Sequence, residues 1–416
     1  MSNYKCRNSK AFDSVKFFIL LVASSAAVYL TVSVIVGNGK FADIFFLRCA
    51  DFFMDFFNSI RDAAQGSAVY TERRVIYPPL ANLIFLALSR FTPESYNDTP
   101  FEDRYEWPEY FSTMMLAVVF VCVFAVCFFF LIYSKMKNGS RVTRFAFAFF
   151  ALFSTPVLYM AERGNMILLC LIALAVYAFT YDSQNKTYRE IGILALAFAA
   201  ALKLYPAVFG WFLVADKRYK DAARCAIYGV ALLLIPSFFF GGPACFAYVF
   251  GNIFSFSTTG TGSTVSIICR AVGLSDTVAT VINILAYLWV LICGVAFAAS
   301  AFITKEKYKT LLLGFLTICC IPSLTSLYTW AFMIIPLTLI CREPSHNKSE
   351  TWITVIASLP FAFIPFRLSY HVTPSMVLVY LATAVLSVWA VVDTFITLRA
   401  LKNGAVTFGK TEKVRE

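Results

Sequence analysis

Two aspartates, Asp51 and Asp55, lie four residues apart in the run CADFFMDFFNSI, a short distance after a long apolar segment. On a helix this spacing places both carboxylates on one face. Neighbouring carboxylates repel each other, which raises the pKa of one of them. A carboxylate beside an apolar surface, with no cation next to it, suits a general base. The alternative is a solvated interfacial helix with two surface acids. The spacing also leaves open which of the two aspartates would be the base.

Basic residues at the ends of later apolar segments could bind an anion. Arg163 lies in YMAERGNMILL and Lys203 in ALKLYPAVF, with Tyr205 two residues further on, and Arg74 follows the aspartates. An arginine offers a forked pair of donors to a phosphate, whereas a lysine offers a point charge. These four residues are the candidate phosphate-binding residues. Lys203 could instead extend to the membrane surface without a ligand.

Other polar and aromatic residues near these positions could contact a substrate. They are Tyr77, Glu162, Asn165, Tyr328 and Trp330. Tyrosine and tryptophan at such places also form the aromatic belt of membrane proteins, which is the alternative for Tyr328 and Trp330. The sequence has no HExxH, no phosphate-binding glycine loop and no paired CxxC motif. We therefore expect no metal and no cofactor.

The composition is that of a membrane protein. Of 416 residues, 60% are hydrophobic and 14% charged, and the mean hydropathy is +0.73. A soluble domain has about one quarter charged residues. The net charge of +11 comes from 35 Lys and Arg against 24 Asp and Glu. The basic residues fall in short loops between apolar runs, the positive-inside pattern, and this argues against nucleic acid as a partner.

The apolar runs predict an all-α polytopic membrane protein with about twelve spans and both termini in the cytoplasm. The predicted spans are approximately 17–36, 110–134, 145–160, 165–181, 190–203, 204–216, 222–240, 277–302, 310–323, 328–341, 351–366 and 374–398. We expect a single integral membrane domain, 1–416. It would comprise a module at 17–240 with its first outer loop at 37–108, and further helices at 241–416.

One apolar segment in the first outer loop is too short to cross the membrane. PPLANLIFLALSRF, residues 78–91, covers only about 20 Å as a helix, against a hydrocarbon core of about 30 Å. We predict interfacial helices in this loop. If the segment does not cross, the basic loops all fall on the cytoplasmic side and both aspartates fall outside.

Several of these motifs together resemble the GT-C superfamily of membrane glycosyltransferases, and more narrowly glycosyltransferase family 87, the polyprenol-phosphate-mannose-dependent α-mannosyltransferases. The matching pieces lie between about residues 40 and 220. They are Asp51-Phe52 and Asp55-Phe56, Gly66 with Tyr70, YPPL at Tyr77 to Leu80, RGN at Arg163 to Asn165, and AAALKLYP at Ala199 to Pro206. Asn165 stands where the family usually has glutamine.

The resemblance implies a GT-C type fold, a polyprenyl-phosphate sugar as donor, and an inverting transfer outside the cytoplasm. The sugar would be a hexose, mannose by the resemblance, and the acceptor a glycan or glycolipid. An acid of the first outer loop would be the base, and between Asp55 and Asp51 we favour Asp55. The resemblance also implies a bacterial inner membrane, with membrane lipid around the site and no nucleic acid.

Two other classes of function fit the same hydropathy. A transporter or flippase of lipid-linked saccharides would carry charged residues near the middle of the bilayer and broken helices there. A polysaccharide polymerase would have long outer loops bearing arginine. In this chain the charges cluster at the ends of the spans and the long loop is early and acidic. The pattern therefore favours an enzyme.

Overall fold

The structure is a computed structural model that describes residues 12–37, 52–98, 107–258, 268–269, 272–304, 306–324, 327–342, 348–365 and 373–403. These residues form helices joined by short turns. The α-helices are α1 (Ser14–Gly37), α2 (Met54–Ala64), α3 (Ala68–Thr71), α4 (Pro79–Ser89), α5 (Glu94–Asp98), α6 (Phe111–Lys135), α7 (Arg141–Leu152), α8 (Thr155–Arg163), α9 (Ile167–Thr180), α10 (Lys186–Leu202), α11 (Trp211–Ala215), α12 (Tyr219–Ser237), α13 (Cys245–Thr258), α14 (Asp276–Ile303), α15 (Lys307–Cys320), α16 (Ile334–Ile340), α17 (Lys348–Ser358) and α18 (Pro374–Lys402). Short 3-10 helices at Tyr205–Gly210, Phe238–Phe240, Tyr328–Met333 and Leu359–Phe361 lie between them.

Five segments of the described residues are helical, long and apolar enough to cross a membrane. They are Ser14–Ile35, Phe111–Lys135, Tyr219–Phe240, Asp276–Ile303 and Pro374–Lys402. The pair α7 and α8, bent by 49° at their junction, makes a sixth if the two count as one span. This architecture is consistent with an integral membrane protein and confirms the expected all-helical class. The count of about twelve spans stays a prediction, because most of the other apolar helices are shorter.

The junction between α7 and α8 follows from the sequence. Phe153 ends α7, and Ser154 and Thr155 precede Pro156 in the first turn of α8. Proline is compatible with a first turn but not with a continuous helix, since it lacks an N–H group and disfavours helical geometry in the residue before it. The single span predicted at 145–160 is therefore two helices in the structure.

The first loop contains the short helices that the sequence suggested. α4 begins at Pro79, where proline suits the first turn. It packs on the amphipathic helix α2 and on α10 and α12. At 11 residues α4 is about 16 Å long, too short to cross a bilayer. That α2 and α4 lie at the membrane interface stays a prediction.

A cluster of buried apolar side chains joins the first loop to the ends of two later helices. We call it the loop cluster: it contains Phe53, Met54, Phe56, Phe57, Ile60, Ala63, Leu80, Ala81, Phe85, Tyr96, Trp107, Ala117, Met166, Ala201 and Leu202. Met166 and Leu202 are sequence neighbours of Asn165 and Lys203. Packing of α2 against them brings three distant parts of the chain to one place.

The opposite end of α10 carries a network of ion pairs. Near Lys186, where α10 begins, Arg224 pairs with Glu190 at 2.5 Å and with Asp221 at 2.5 Å. Lys307 pairs with Asp182 at 3.0 Å close by. Arg224 and Lys307 come from two of the basic loops predicted on the cytoplasmic side. The basic loops and the Lys203 turn therefore lie at opposite ends of α10, about 25 Å apart for a helix of 17 residues.

Candidate active site

Asp55, in the first turn of α2, is held on both carboxylate oxygens. Arg163 donates from Nε at 3.2 Å and from Nη2 at 2.5 Å to Oδ1. Asn165 donates from Nδ2 at 2.7 Å to Oδ2. The Asp55 side chain is still 23% exposed, and that of Arg163 15%. Because each carboxylate oxygen has two lone pairs, Asp55 can accept a further proton donor from the open side.

The turn between α8 and α9 aims Arg163 and Asn165 at Asp55. Gly164 ends α8 in the left-handed conformation at φ +61°. A Cβ atom on Gly164 would lie 2.8 Å from Cβ of Phe56, so only glycine allows α2 to approach this closely. The backbone N–H of Phe53 also donates to the carbonyl of Glu162 at 2.7 Å. The start of α2 is thus attached to the end of α8 through backbone and side chains.

The amide of Asn165 has a fixed orientation. Its Oδ1 accepts the backbone N–H of Ile167 at 3.0 Å, at the start of α9. The oxygen is therefore assigned to the helix start, and the NH₂ group must face Asp55. The same side chain hydrogen-bonds the hydroxyl of Tyr77, and burial raises the pKa of Tyr77 well above its ordinary value, as does the charge of Asp55. Tyr77 therefore stays neutral at physiological pH.

Lys203 completes the group. It is the first residue after α10, and its Nζ lies 4.0 Å from the centre of the Tyr77 ring, within cation–π range. Burial lowers the pKa of Lys203 to about 8, against the opposing influence of Cys170 and Asp55. Lys203 is thus charged at neutral pH in a place where charge is costly. An anionic ligand would relieve that cost.

Two cavities adjoin each other at Asp55, Tyr77 and Lys203. A polar cavity of about 420 Å³ is lined by Asp55, Asn58, Ser59, Asp62, Arg73, Arg74, Val75, Ile76, Tyr77 and Phe256. An apolar cavity of about 510 Å³ is lined by Ile76, Pro78, Lys203, Leu204, Tyr205, Ile253, Phe254, Phe256, Tyr287, Ile321, Ser323 and Leu324. Ile76 and Phe256 line both cavities. Volumes of this size are typical of ligand sites, and here a polar and an apolar compartment adjoin.

The segment between the cavities is held by two asparagines. Asn82 donates to the hydroxyl of Tyr70 at 2.8 Å, and that hydroxyl donates to the carbonyl of Tyr77 at 3.1 Å. Asn252, on α13, donates to the carbonyls of Tyr70 at 3.0 Å and Val75 at 3.2 Å. These bonds fix the path of the chain from Tyr70 to Tyr77.

The structure brings most of the candidate residues together. Arg74 lines the polar cavity and adopts a left-handed backbone at φ +52°, uncommon for a residue with a side chain. Tyr205 lines the apolar cavity and packs edge-on against Phe332. Tyr328 stacks on Tyr159 with ring centres 6.1 Å apart. It is also near enough to Tyr77 to affect the pKa of that phenol.

The remaining three candidate residues are Trp330, Glu162 and Asp51. Trp330 is fully buried in the main core, and its indole N–H donates to the carbonyl of Ala357 at 3.1 Å. We do not carry it into the site, because neither its ring nor its donor is available to a substrate. Glu162 is 2% exposed and contributes its backbone carbonyl to Phe53. Asp51 lies outside the described residues, so its role as a base stays a prediction.

One premise about Asp55 was wrong. The sequence suggested a carboxylate with no cation beside it, whereas Arg163 contacts Asp55 directly. Arginine and carboxylate are 108 residues apart in sequence, and only the packing of α2 on α8 makes them neighbours. The contact fixes the direction of the Asp55 carboxylate, which favours a positioned acceptor of protons.

Several residues of the site were missed from the sequence. Asn58, Ser59 and Asp62 line the polar cavity, and Asn82 and Asn252 hold its wall. The positions 55, 58, 59 and 62 share the i, i+3, i+4, i+7 spacing of one helix face, a signal that could have identified the first three. No pattern in the sequence marks Asn252, because it lies more than 170 positions after the Tyr70 to Tyr77 segment that it supports. Among the residues that the structure describes, no three His, Cys, Asp or Glu side chains are grouped so as to hold a metal ion.

The comparison with protein families identifies the chain. The sequence profile of glycosyltransferase family 87 matches residues 76–327. The match starts later and runs further than the motifs recognised above, so that Tyr77, Arg163, Asn165, Lys203 and Tyr205 lie inside it and both aspartates precede it. No curated protein and no solved structure gives a significant match. With more than half of its length matched, the chain belongs to glycosyltransferase family 87 and is a glycosyltransferase.

Proposed function

We propose that this glycosyltransferase is an inverting enzyme that moves a hexose, mannose by the family resemblance, from a polyprenyl-phosphate sugar to an extracytoplasmic glycan or glycolipid. The observation that carries the proposal is the position of Asp55. Its carboxylate lines the polar cavity, and Lys203 lines the adjoining apolar cavity. A donor with a lipid tail, a phosphate and a sugar has the same order of polarity.

The apolar cavity would hold the start of the prenyl chain. Its lining is almost entirely hydrophobic, with Ile253, Leu324 and Tyr287 among the side chains, and Lys203 provides a charge. The donor phosphate would lie between Lys203 and Arg74, with the hydroxyl of Tyr205 beside it. A phosphate there gains charge-assisted hydrogen bonds from two cations.

The chemical step would be a single displacement at the anomeric carbon. A hydroxyl oxygen of the acceptor attacks C1 of the sugar, the bond between C1 and the phosphate oxygen breaks, and the hydroxyl proton passes to the Asp55 carboxylate. Polyprenyl phosphate leaves with the electron pair of the broken bond. Lys203 and Arg74 stabilise the charge that grows on it, and such stabilisation is typically worth several kcal/mol.

Arg163 and Asn165 would position the base. Two directed hydrogen bonds from Arg163 to Oδ1 and one from Asn165 to Oδ2 hold the carboxylate and leave one lone pair of Oδ2 for a further donor. The positive charge of Arg163 also lies near the reacting phosphate. Because Asn165 additionally contacts Tyr77, it would link the orientation of the base to the wall against which the sugar lies.

The distribution of charge supports an extracytoplasmic location of the site. The site lies at the Leu202 end of α10, and the basic loops gather at the Lys186 end. By the positive-inside rule the Lys186 end would face the cytoplasm. The arrangement supports a site on the outer side of the cell membrane, for which we propose the bacterial inner membrane, with about twelve spans when short helices are counted.

The alternatives, a transporter or flippase and a polymerase of lipid-linked saccharides, predict different products. A purified chain reconstituted in vesicles should release polyprenyl phosphate from a short-chain polyprenyl-phosphate mannose and form a glycosidic bond. Release that depends on Asp55 supports the proposed enzyme. Movement of the intact donor across the vesicle membrane without release would identify a flippase instead.

A further inference from the structure

The polar face of α2 extends beyond the residue that the mechanism uses. Asp55, Asn58, Ser59 and Asp62 follow one another along the same face and line the polar cavity. Asp62 lies seven residues after Asp55, about 10 Å further along the helix axis. This distance corresponds to the length of two linked sugar rings.

Packing on the other face fixes the direction of these side chains. Phe56, Phe57 and Ile60 are fully buried in the loop cluster, and the hydroxyl of Tyr96 donates to the carbonyl of Phe57 at 2.6 Å. Rotation of α2 about its axis would expose these apolar side chains to water. The polar row therefore faces the cavity as a rigid surface, which a binding site requires.

Among the residues that the structure describes, Asp62 makes no close ion pair. Nη1 of Arg61 is 4.0 Å from its Oδ1, at the limit of an ion pair, and the Arg61 guanidinium lies over the ring of Trp107 at 5.3 Å. Burial raises the pKa of Asp62 to about 6, against the attraction of Arg61 and Arg73. At neutral pH Asp62 is thus a partly desolvated carboxylate in a cavity wall, with no part in the step assigned to Asp55.

We propose that this face of α2 is the acceptor subsite, where Asp62 and Asn58 hydrogen-bond hydroxyl groups of a saccharide acceptor while its attacking hydroxyl lies at Asp55. The inference rests on the proposed function and names the residues that would bind its saccharide acceptor. Family membership assigns no role to these residues, since the matched segment begins at residue 76.

The chemistry of the lining favours a saccharide over a peptide. A carboxylate accepts two hydroxyl donors, and an amide donates and accepts, so the pair suits the neighbouring hydroxyls of a sugar. A peptide acceptor is usually held by an exposed strand edge or by a row of apolar pockets. The described lining of the polar cavity has acids, arginines, an amide and a hydroxyl instead.

The test separates transfer to a sugar from transfer to water. Purified enzyme receives a short-chain polyprenyl-phosphate mannose, with either no acceptor, an octyl α-dimannoside, or a Ser- and Thr-containing peptide. For Asp62→Asn we expect kcat/KM for the dimannoside to fall roughly 10- to 100-fold, as for the loss of a hydrogen bond to a charged group. Release of polyprenyl phosphate without acceptor is the reference rate for each variant, and we expect transfer to the dimannoside to fall more than this release.

Asn58→Ala is the second variant, and we expect it to lower kcat/KM for the dimannoside roughly threefold to tenfold. Glu94→Gln, an exposed acid of α5, is the matched control and should leave both rates unchanged. Thermal unfolding in detergent shows whether each variant is folded.

The result that overturns the acceptor subsite is a pair of variants with wild-type KM and kcat for the dimannoside. Transfer to the peptide and not to the dimannoside would overturn it as well. If the wild type releases no polyprenyl phosphate under any condition, the proposed function fails, and this outcome is distinct from the failure of the subsite.

Discussion

Asn165 donates a hydrogen bond of 2.7 Å to Oδ2 of Asp55, a residue 110 positions earlier in the chain. The same amide accepts the N–H of Ile167 and contacts Tyr77. One side chain thus joins the start of α9, the candidate base and the wall between the two cavities. A change at Asn165 should therefore affect the direction of the base more than the stability of the fold.

Asn165→Asp tests this link. The aspartate has no donor for Oδ2 of Asp55 and places a second negative charge beside it, so we expect transfer to fall about 100-fold or more. Asn165→Gln, the residue that the family resemblance indicates, keeps an amide donor and should retain most of the activity. Initial rates of polyprenyl phosphate release measure both variants. Equal rates in both would show that the donor to Asp55 is not needed.

Asp55→Asn tests the base itself. The amide preserves the size of the side chain but cannot take a proton, and we expect the rate to fall roughly 10²–10⁴-fold. Asp51→Asn, assayed beside it, decides between the two acids. If Asp55 is the base, Asp51→Asn should retain near wild-type activity. Full activity in both variants would contradict the assignment of a base in the first loop.

Gly164→Ala tests the close approach of α2 to the end of α8. The new Cβ would lie 2.8 Å from Cβ of Phe56, in a left-handed conformation that costs a non-glycine residue roughly 1–2 kcal/mol. We expect a lower unfolding temperature in detergent and a loss of transfer, because Arg163 and Asn165 flank this residue. Gly229→Ala is the control: nothing lies within 4 Å of its added Cβ, and the position is inside α12. That variant should be neutral or slightly stabilising.

The pH profile tests Lys203. Its pKa of about 8 means that it is charged below pH 8 and neutral above it, so kcat/KM for the donor should fall as pH rises through about 8. Lys203→Arg should move this fall to higher pH, because arginine stays charged. A profile that is flat from pH 7 to pH 9.5 in the wild type would remove Lys203 from phosphate binding.

Stability should show the opposite dependence on pH. The pKa of Lys203 is lower in the folded chain than its ordinary value of 10.5, so the unfolded chain binds more protons between about pH 8 and 10.5. The contribution of this residue to the free energy of unfolding therefore rises with pH in that window. Unfolding midpoints of the wild type and of Lys203→Met at pH 8 and pH 10 measure it, and only the wild type should show this contribution.

Chelation tests the role of the cations. Lys203, Arg74 and Arg163 can neutralise a lipid-linked phosphate, so we expect transfer to proceed at an unchanged rate after treatment with EDTA. The assay uses the same donor. In its second arm, an excess of Mg²⁺ or Mn²⁺ is added after the EDTA treatment. Loss of activity with EDTA and its return with either metal would show that the amino-acid cations are insufficient.

The sequence alone determined the helical membrane class, the approximate positions of the long spans and the short helix of the first loop, because the length and polarity of a helical segment are local properties of the chain. It also identified Asp55, Arg163, Asn165 and Lys203 as chemically notable. Only the tertiary structure decided that Arg163 contacts Asp55, that Trp330 is buried and that Asn252 supports the Tyr70 to Tyr77 segment. These relations depend on how helices from different parts of the chain pack against one another, and no pattern along the chain records such contacts.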